Sequence, residues 1–231
     1  MKILLVADSH GKRPLNFVRQ MMDRKIEQVV FLGDYDTPEV LKDLIEIDLR
    51  KKFIVGNHDF HYVYGIGIEG HMMENTDVGY TNLWGKNPEE KKFILDAVCG
   101  KILNAGLTLE EEIEEGIKIA YSHGGIVDEI NSKQKIIDSL WQRAKYPEDV
   151  KINFEKMAEK NYKILFRGHD HEHSTIVLNG SNGLMGKSIE NKIKLFNGNR
   201  YIVSVGSFYY GDYAIFDSTT REIEYRNRGD D

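Results

Sequence analysis

The sequence predicts an α/β fold, and three patterns predict it. Short apolar runs alternate with amphipathic stretches through the first part of the chain. Several of those runs end on a glycine beside aspartate, asparagine or histidine, and the last quarter alternates Gly/Asn turns with β-rich segments. The clearest run is Val29-Val30-Phe31-Leu32-Gly33-Asp34. Four apolar residues leading straight into a glycine and a carboxylate describe a strand buried on both faces that stops at a functional edge. In open α/β sheets, ligands bind outside the carboxyl ends of the strands, and Gly33 lets backbone approach whatever Asp34 holds.

The elements follow in order. Lys2 to Ala7 is a short buried strand tipped by Asp8-Ser9-His10-Gly11. Asp and His two residues apart can point to one side and grip one cation. Leu15, Val18, Met21 and Met22 have helical spacing, so Leu15 to Lys25 is a helix packing on the core, and the opening reads βαβ with parallel strands and a right-handed crossover. Thr37 is the expected N-cap and Pro38 the first residue of a second helix running to Ile47. Phe53-Ile54-Val55 is a strand tipped by Gly56-Asn57-His58-Asp59.

The βα rhythm breaks from Phe60 to about Ile117, which reads as an insertion forming a lid: an aromatic loop around Tyr62, Tyr64 and Trp84, then helices at Pro88 to Cys99 and Thr108 to Glu115. The Glu110 to Glu115 charge run would be the solvated face of the second helix, over Leu107, Leu109 and Ile113. His61 and His71 lack a second ligand at fixed spacing and read as structural or surface residues. Regular structure returns at Lys118-Ile119-Ala120-Tyr121, tipped by Ser122-His123-Gly124-Gly125. Helices at Ile136 to Ala144 and Phe154 to Asn161 lead to Lys163-Ile164-Leu165-Phe166-Arg167, tipped by Gly168-His169-Asp170-His171. Two histidines one residue apart after a strand and a glycine are the strongest metal signal in the chain; His173 continues the alternation beyond the site. The tail strands, Thr175 to Leu178, Lys192 to Phe196, Tyr201 to Val205, Tyr213 to Asp217 and Glu222 to Tyr225, should form a second, antiparallel sheet packed on the first, with Gly206-Ser207 returning backbone to the site.

Composition narrows the function classes. With 231 residues and 41% hydrophobic content, the chain suits one globular domain with a sizeable core. A formal net charge of -6 disfavours nucleic-acid binding through a broad basic surface; Lys12-Arg13 and Arg143-Lys145 are the candidates for a local basic groove. The single cysteine, Cys99, points to a small buried hydrophobe in a reducing compartment. The apolar run after Lys2 is strand-sized rather than a leader, and no run is long enough to cross a bilayer, so the expected location is cytoplasmic and no membrane partner is expected.

Together the tips offer Asp8, His10, Asp34, Asn57, His123, His169 and His171, too many donors for one tetrahedral ion and suited to two ions with open positions. No cysteine takes part, which favours Mn, Fe, Zn, Ni or Mg over a structural zinc ribbon. These blocks, Asp8-x-His10, Gly33-Asp34, Gly56-Asn57-His58-Asp59, His123-Gly124 and Gly168-His169-x-His171, in this order, resemble the signature of the calcineurin-like metallophosphoesterase superfamily. Tyr213-Ala214-Ile215-Phe216-Asp217 resembles its closing segment.

The resemblance implies a single domain over 1–231, folded as a four-layer αββα sandwich of two mixed sheets, with 61–117 inserted. It implies that Asp8, His10 and His171 hold one divalent ion, that Asn57, His123 and His169 hold the other, and that Asp34 bridges them. Manganese is the ion expected to support activity. Two ions about 3.5–4 Å apart activate a shared water, and the bridging hydroxide attacks phosphorus in line. His58 would not be a ligand but would face the leaving-group oxygen. The branch nearest to serine/threonine phosphatases and dinucleoside tetraphosphatases carries Asp-Arg-Gly soon after Gly-Asp, whereas this chain has Tyr35-Asp36-Thr37-Pro38. Asp36 and Asp59 therefore compete for the role of orienting His58, and Arg13 is a phosphate contact by position only. The expected function is hydrolysis of a small phosphomonoester or nucleotide-type substrate, for which Tyr35, Phe60, Tyr62, Phe208 and Tyr209 could offer stacking surfaces. The alternatives are a phosphodiesterase or nuclease, and a non-catalytic interaction module of the same fold, as in a retromer subunit, which the intact ligand set and His58 disfavour.

Overall fold

A computed structural model describes residues 1–64, 88–98, 105–113 and 116–230. Cys99, His71 and Trp84 lie outside those residues, as do the side chains of His61, Tyr62 and Tyr64. The strands build two six-stranded mixed sheets. In the first, β1 (Lys2–Val6), β2 (Gln28–Phe31) and β3 (Arg50–Phe53) are parallel neighbours. Antiparallel β11 (Asp212–Asp217), β12 (Glu222–Asn227) and β9 (Lys192–Lys194) extend it beyond β1. The second sheet runs β4 (Thr108–Ile113), β5 (Ile117–Ser122), β6 (Ile164–Arg167), β10 (Arg200–Val205), β7 (His173–Leu178) and β8 (Met185–Ser188). Its centre, β5-β6-β10, is parallel.

The alternation of side chains sorts the core into layers. Along β1, Ile3, Leu5 and Ala7 face the other sheet and meet Tyr121, Phe166 and Val203, while Leu4 and Val6 face outward. There they pack under α1 (Leu15–Met22) and α2 (Pro38–Glu46), through Val18, Met21, Val40 and Leu44. On the far side, Ala120, Leu165 and Ile202 are covered by Val150, Phe154 and Met157 of α6 (Pro147–Glu159). The order is helices, sheet, sheet, helices. Both sheets are thus covered on both faces, which is why their central strands read as continuous apolar runs. Thr37 caps α2 as expected, its side chain accepting from the Val40 N–H. Among the described residues, no helix is long and apolar enough to cross a membrane.

Three expectations are corrected. The tail does not make a sheet of its own: β9, β11 and β12 join the first sheet, and β7, β8 and β10 the second. Thr108–Ile113 is a strand, not a helix. Its glutamates suggest a helix by propensity, but Leu109, Glu111 and Ile113 turn inward and Glu110 and Glu112 outward, a period of two that pairing with β5 imposes. Buried Glu111 then accepts from Gln28 Nε2 at 2.9 Å, Tyr121 OH at 3.0 Å and Arg50 Nη2 at 2.5 Å. A helix, α3 (Asn57–Tyr64), begins where a loop was expected, directly at the third tip. The remaining described α-helices are α4 (Pro88–Val98) and α5 (Lys133–Leu140).

Candidate metal centre

The strand tips are wired to one another through backbone. Asp8 N–H donates to Gly33 O and His10 N–H to Asp34 O, which zips the first tip to the second. Asp59, in the first turn of α3, accepts from the N–H groups of Asp34, Tyr35 and Gly56 at 2.8 to 3.1 Å and ties the second tip to the third. Gly168 N–H donates to His123 O, and His169 N–H donates to the Asp8 carboxylate at 3.0 Å. This wiring demands left-handed backbone. Asp8, His10, Asp34, Asp36, His169 and His171 all have φ between 43° and 67°. Asp and His are among the few side chains that tolerate this region, at about 1–3 kcal/mol each, and such strain concentrates at functional sites.

The seven donor residues read from the sequence converge. Asp8, His10 and His171 form one group whose ligand atoms lie within 4.8 Å of one another, and Asp8, Asp34 and His123 form another. His10 Nε2 and His171 Nε2 are 3.1 Å apart, and His171 Nε2 is 3.5 Å from Asp8 Oδ1. His123 Nε2 is 2.7 Å from Asn57 Oδ1 and 3.4 Å from Asp34 Oδ2. His169 packs edge-on to His123 with ring centroids 5.2 Å apart. Asp8 is the carboxylate common to these two groups, and His10, Asp36 and His58 form a third.

The donor atoms fit cations. His123 Nδ1 donates to Leu32 O at 2.6 Å and His10 Nδ1 faces Asp36 Oδ2 at 2.8 Å, so each ring is held by one nitrogen and turns the other inward, as outer partners do for metal-bound histidines. His169 Nε2 is buried among the described residues without a hydrogen-bond partner. Burial, with the charges of His123 and Arg167 beside it, pushes His169 down to about 2, which keeps its lone pair available. Burial also works against charge on His123, but the Asp34 carboxylate, Asp8 and the Leu32 carbonyl together raise the ring to about 9. Positive charge is thus drawn to the place where acceptor atoms crowd, and a divalent ion would meet that demand.

A family model of the calcineurin-like phosphoesterase superfamily domain matches residues 1–184. The chain belongs to that superfamily. Solved structures of similar fold include a metallophosphoesterase from Sphaerobacter thermophilus, at 16% identity and TM-score 0.61 over 98% of this chain and 87% of that one. An archaeal phosphodiesterase is similar at 16% identity and TM-score 0.53, over 98% of this chain and 99% of the other. No protein curated for function matches the chain in sequence.

Within this calcineurin-like domain, the geometry separates the two carboxylates near His58. His58 Nδ1 lies 3.0 Å from Asp36 Oδ1, whereas both oxygens of Asp59 are engaged by backbone N–H groups. Asp36 therefore serves two rings, one oxygen to His58 and the other to His10. Burial lowers the basicity of His58, but Asp34 and Asp36 together raise it to about 10, which favours the protonated ring. Arg13 directs Nε and Nη2 to Asp43 on α2. Of the expected stacking surfaces, Tyr35, Phe60 and Phe208 are buried, and Tyr209 is exposed. His173 stacks on Tyr225, outside the site. Sequence reasoning missed the support behind the last tip: buried Arg167 lies 3.4 Å from Asp170, which also accepts from Ser204 Oγ at 2.7 Å. An arginine ending an apolar strand was the available signal.

Gly56 has no room for a side chain, since a Cβ there would lie 2.1 Å from Asp34 Oδ1 and 2.4 Å from Asp34 N. Gly56→Ala should therefore displace the Asp34 carboxylate, destabilise the fold by about 1–3 kcal/mol and lower retained metal. Differential scanning fluorimetry and elemental analysis check this; unchanged melting and metal content would show that the tips can separate freely.

Proposed function

We propose that this chain is a dinuclear metal-dependent phosphoesterase that hydrolyses a phosphomonoester or nucleotide-type substrate. The observation that carries the reading is the convergence of Asp8, His10, Asp34, Asn57, His123, His169 and His171 on one small volume, with His58 beside them on Asp36. In this reading Asp8, His10 and His171 would hold one ion, Asn57, His123 and His169 would hold the other, and Asp34, whose Oδ2 faces His123, would serve both. Bound divalent ions, manganese first, would supply an activated water and neutralise phosphoryl oxygens. The chain's own contribution is orientation and a proton. Asp36 holds His58 by Nδ1, which leaves Nε2 to donate to the departing alkoxide.

Hydrolysis of p-nitrophenyl phosphate against its bis-ester, with Mn²⁺ and with EDTA, tests the proposal. Turnover of the monoester that EDTA abolishes is the expected result. Preference for the bis-ester would favour the second reading, a phosphodiesterase, for which the likeness to an archaeal phosphodiesterase is the support. Turnover of neither would leave a non-catalytic module. Ion binding should also stabilise the fold: at 100 times Kd, linkage supplies about 2.7 kcal/mol, or roughly 5–10 °C in Tm for a chain of this size. A Tm indifferent to Mn²⁺ and EDTA would remove the ions from the folded state.

A further inference from the structure

Two tyrosines stand in solvent beside the site. Tyr209 and Tyr210 are 48% and 64% exposed, and their rings meet edge to face at 5.3 Å and 85°. Each also faces one histidine of the convergent set, Tyr209 with His10 and Tyr210 with His171, both at 6.3 Å between centroids. Their backbone is fixed to the first tip. Phe208 N–H donates to Ala7 O at 2.8 Å and Tyr209 N–H to Asp8 O at 3.2 Å, while Ser207 Oγ donates to Asp8 O at 3.0 Å. Below them, fully buried Phe208 is covered by the Arg228 guanidinium at 4.1 Å. Exposed Lys12 donates to Tyr209 O at 2.7 Å, with its ammonium 5.6 Å from that ring.

The core does not use these rings, yet the loop that carries them is tied to a residue of the metal centre. Exposed aromatic faces on a fixed backbone form a preorganised stacking platform, and base stacking on such a surface is effective without base-specific hydrogen bonds. We propose that Tyr209 and Tyr210 are the specificity-determining wall of the site and select phosphoesters of nucleosides. This deepens the phosphoesterase reading and rests on it for the reaction, though not for binding.

The test compares adenosine 5′-monophosphate with glycerol 2-phosphate on the Mn²⁺-loaded full chain, by calorimetric binding and by kcat/KM. The wild type should prefer the nucleotide by about tenfold or more in Kd, the scale of a single stacked base. Tyr209→Leu and Tyr210→Leu should each remove most of that preference, and Tyr209→Phe should keep it. A wild type without the preference, or leucine variants that retain it, would overturn the proposal. Ring-dependent binding without turnover of either ester would support the wall and defeat the phosphoesterase reading. Turnover without ring preference would do the reverse.

Discussion

Replacing His58 with alanine should leave bound metal in place and lower kcat on an alkyl phosphate by roughly 10²- to 10⁴-fold, the usual range for a positioned general acid. The ring lies in a cluster with His10 and Asp36, and its contacts suit it to that role. Its Nδ1 is taken by Asp36, and its Nε2 is 3.9 Å from Asp34 Oδ2, the carboxylate that would lie between the ions. The flanking carboxylates favour its protonated form, and it stays 18% exposed, open to a substrate. The loss should shrink on p-nitrophenyl phosphate, whose leaving group needs little protonation. Elemental analysis of the variant separates loss of the acid from loss of ions. Full activity on an alkyl ester would remove His58 from the mechanism.

Asp36→Asn should produce a compound defect, because one carboxylate supports two rings. Asp36 Oδ2 faces His10 Nδ1 at 2.8 Å and Oδ1 faces His58 Nδ1 at 3.0 Å. An asparagine can present an oxygen to only one of them and must turn its amide N–H toward the other nitrogen. Loss of such an outer partner usually weakens metal binding by about 10–100-fold, so the variant should need more Mn²⁺ for half-maximal activity. At saturating Mn²⁺ it should still be impaired on alkyl esters, because a neutral amide holds His58 less firmly than the carboxylate does. Adding His58→Ala to it should then change kcat little, since the two residues act as a unit. Wild-type dependence on Mn²⁺ together with a full further loss in the double variant would show that Asp36 orients neither ring.

Much of this was legible because the local rules agree. In β1, β2 and β6, apolar residues stop at Asp8, Gly33-Asp34 and Gly168-His169, and a strand buried on both faces cannot hide such residues except at its end. The Glu110 to Glu112 part of the charge run was misread because glutamate's helical propensity is local, whereas the partner that fixed its period, β5, is a tertiary neighbour; Glu114 and Glu115 lie outside the described residues. Asp59 and Asp36 are equivalent in sequence. Only the folded chain turns Asp59 to three backbone N–H groups and leaves Asp36 facing two imidazoles.

The sequence by itself determined the α/β class, the parallel opening and the chemical types of the donors at each tip, because period, turn residues and ligand chemistry are properties of a few neighbouring residues. Tertiary structure alone decided which sheet each tail strand joins, how Asp36 is shared and where Tyr209 and Tyr210 stand. Those outcomes depend on pairing and packing between segments up to about two hundred residues apart, with Asp8 meeting His169 and Ser207 across the sheets.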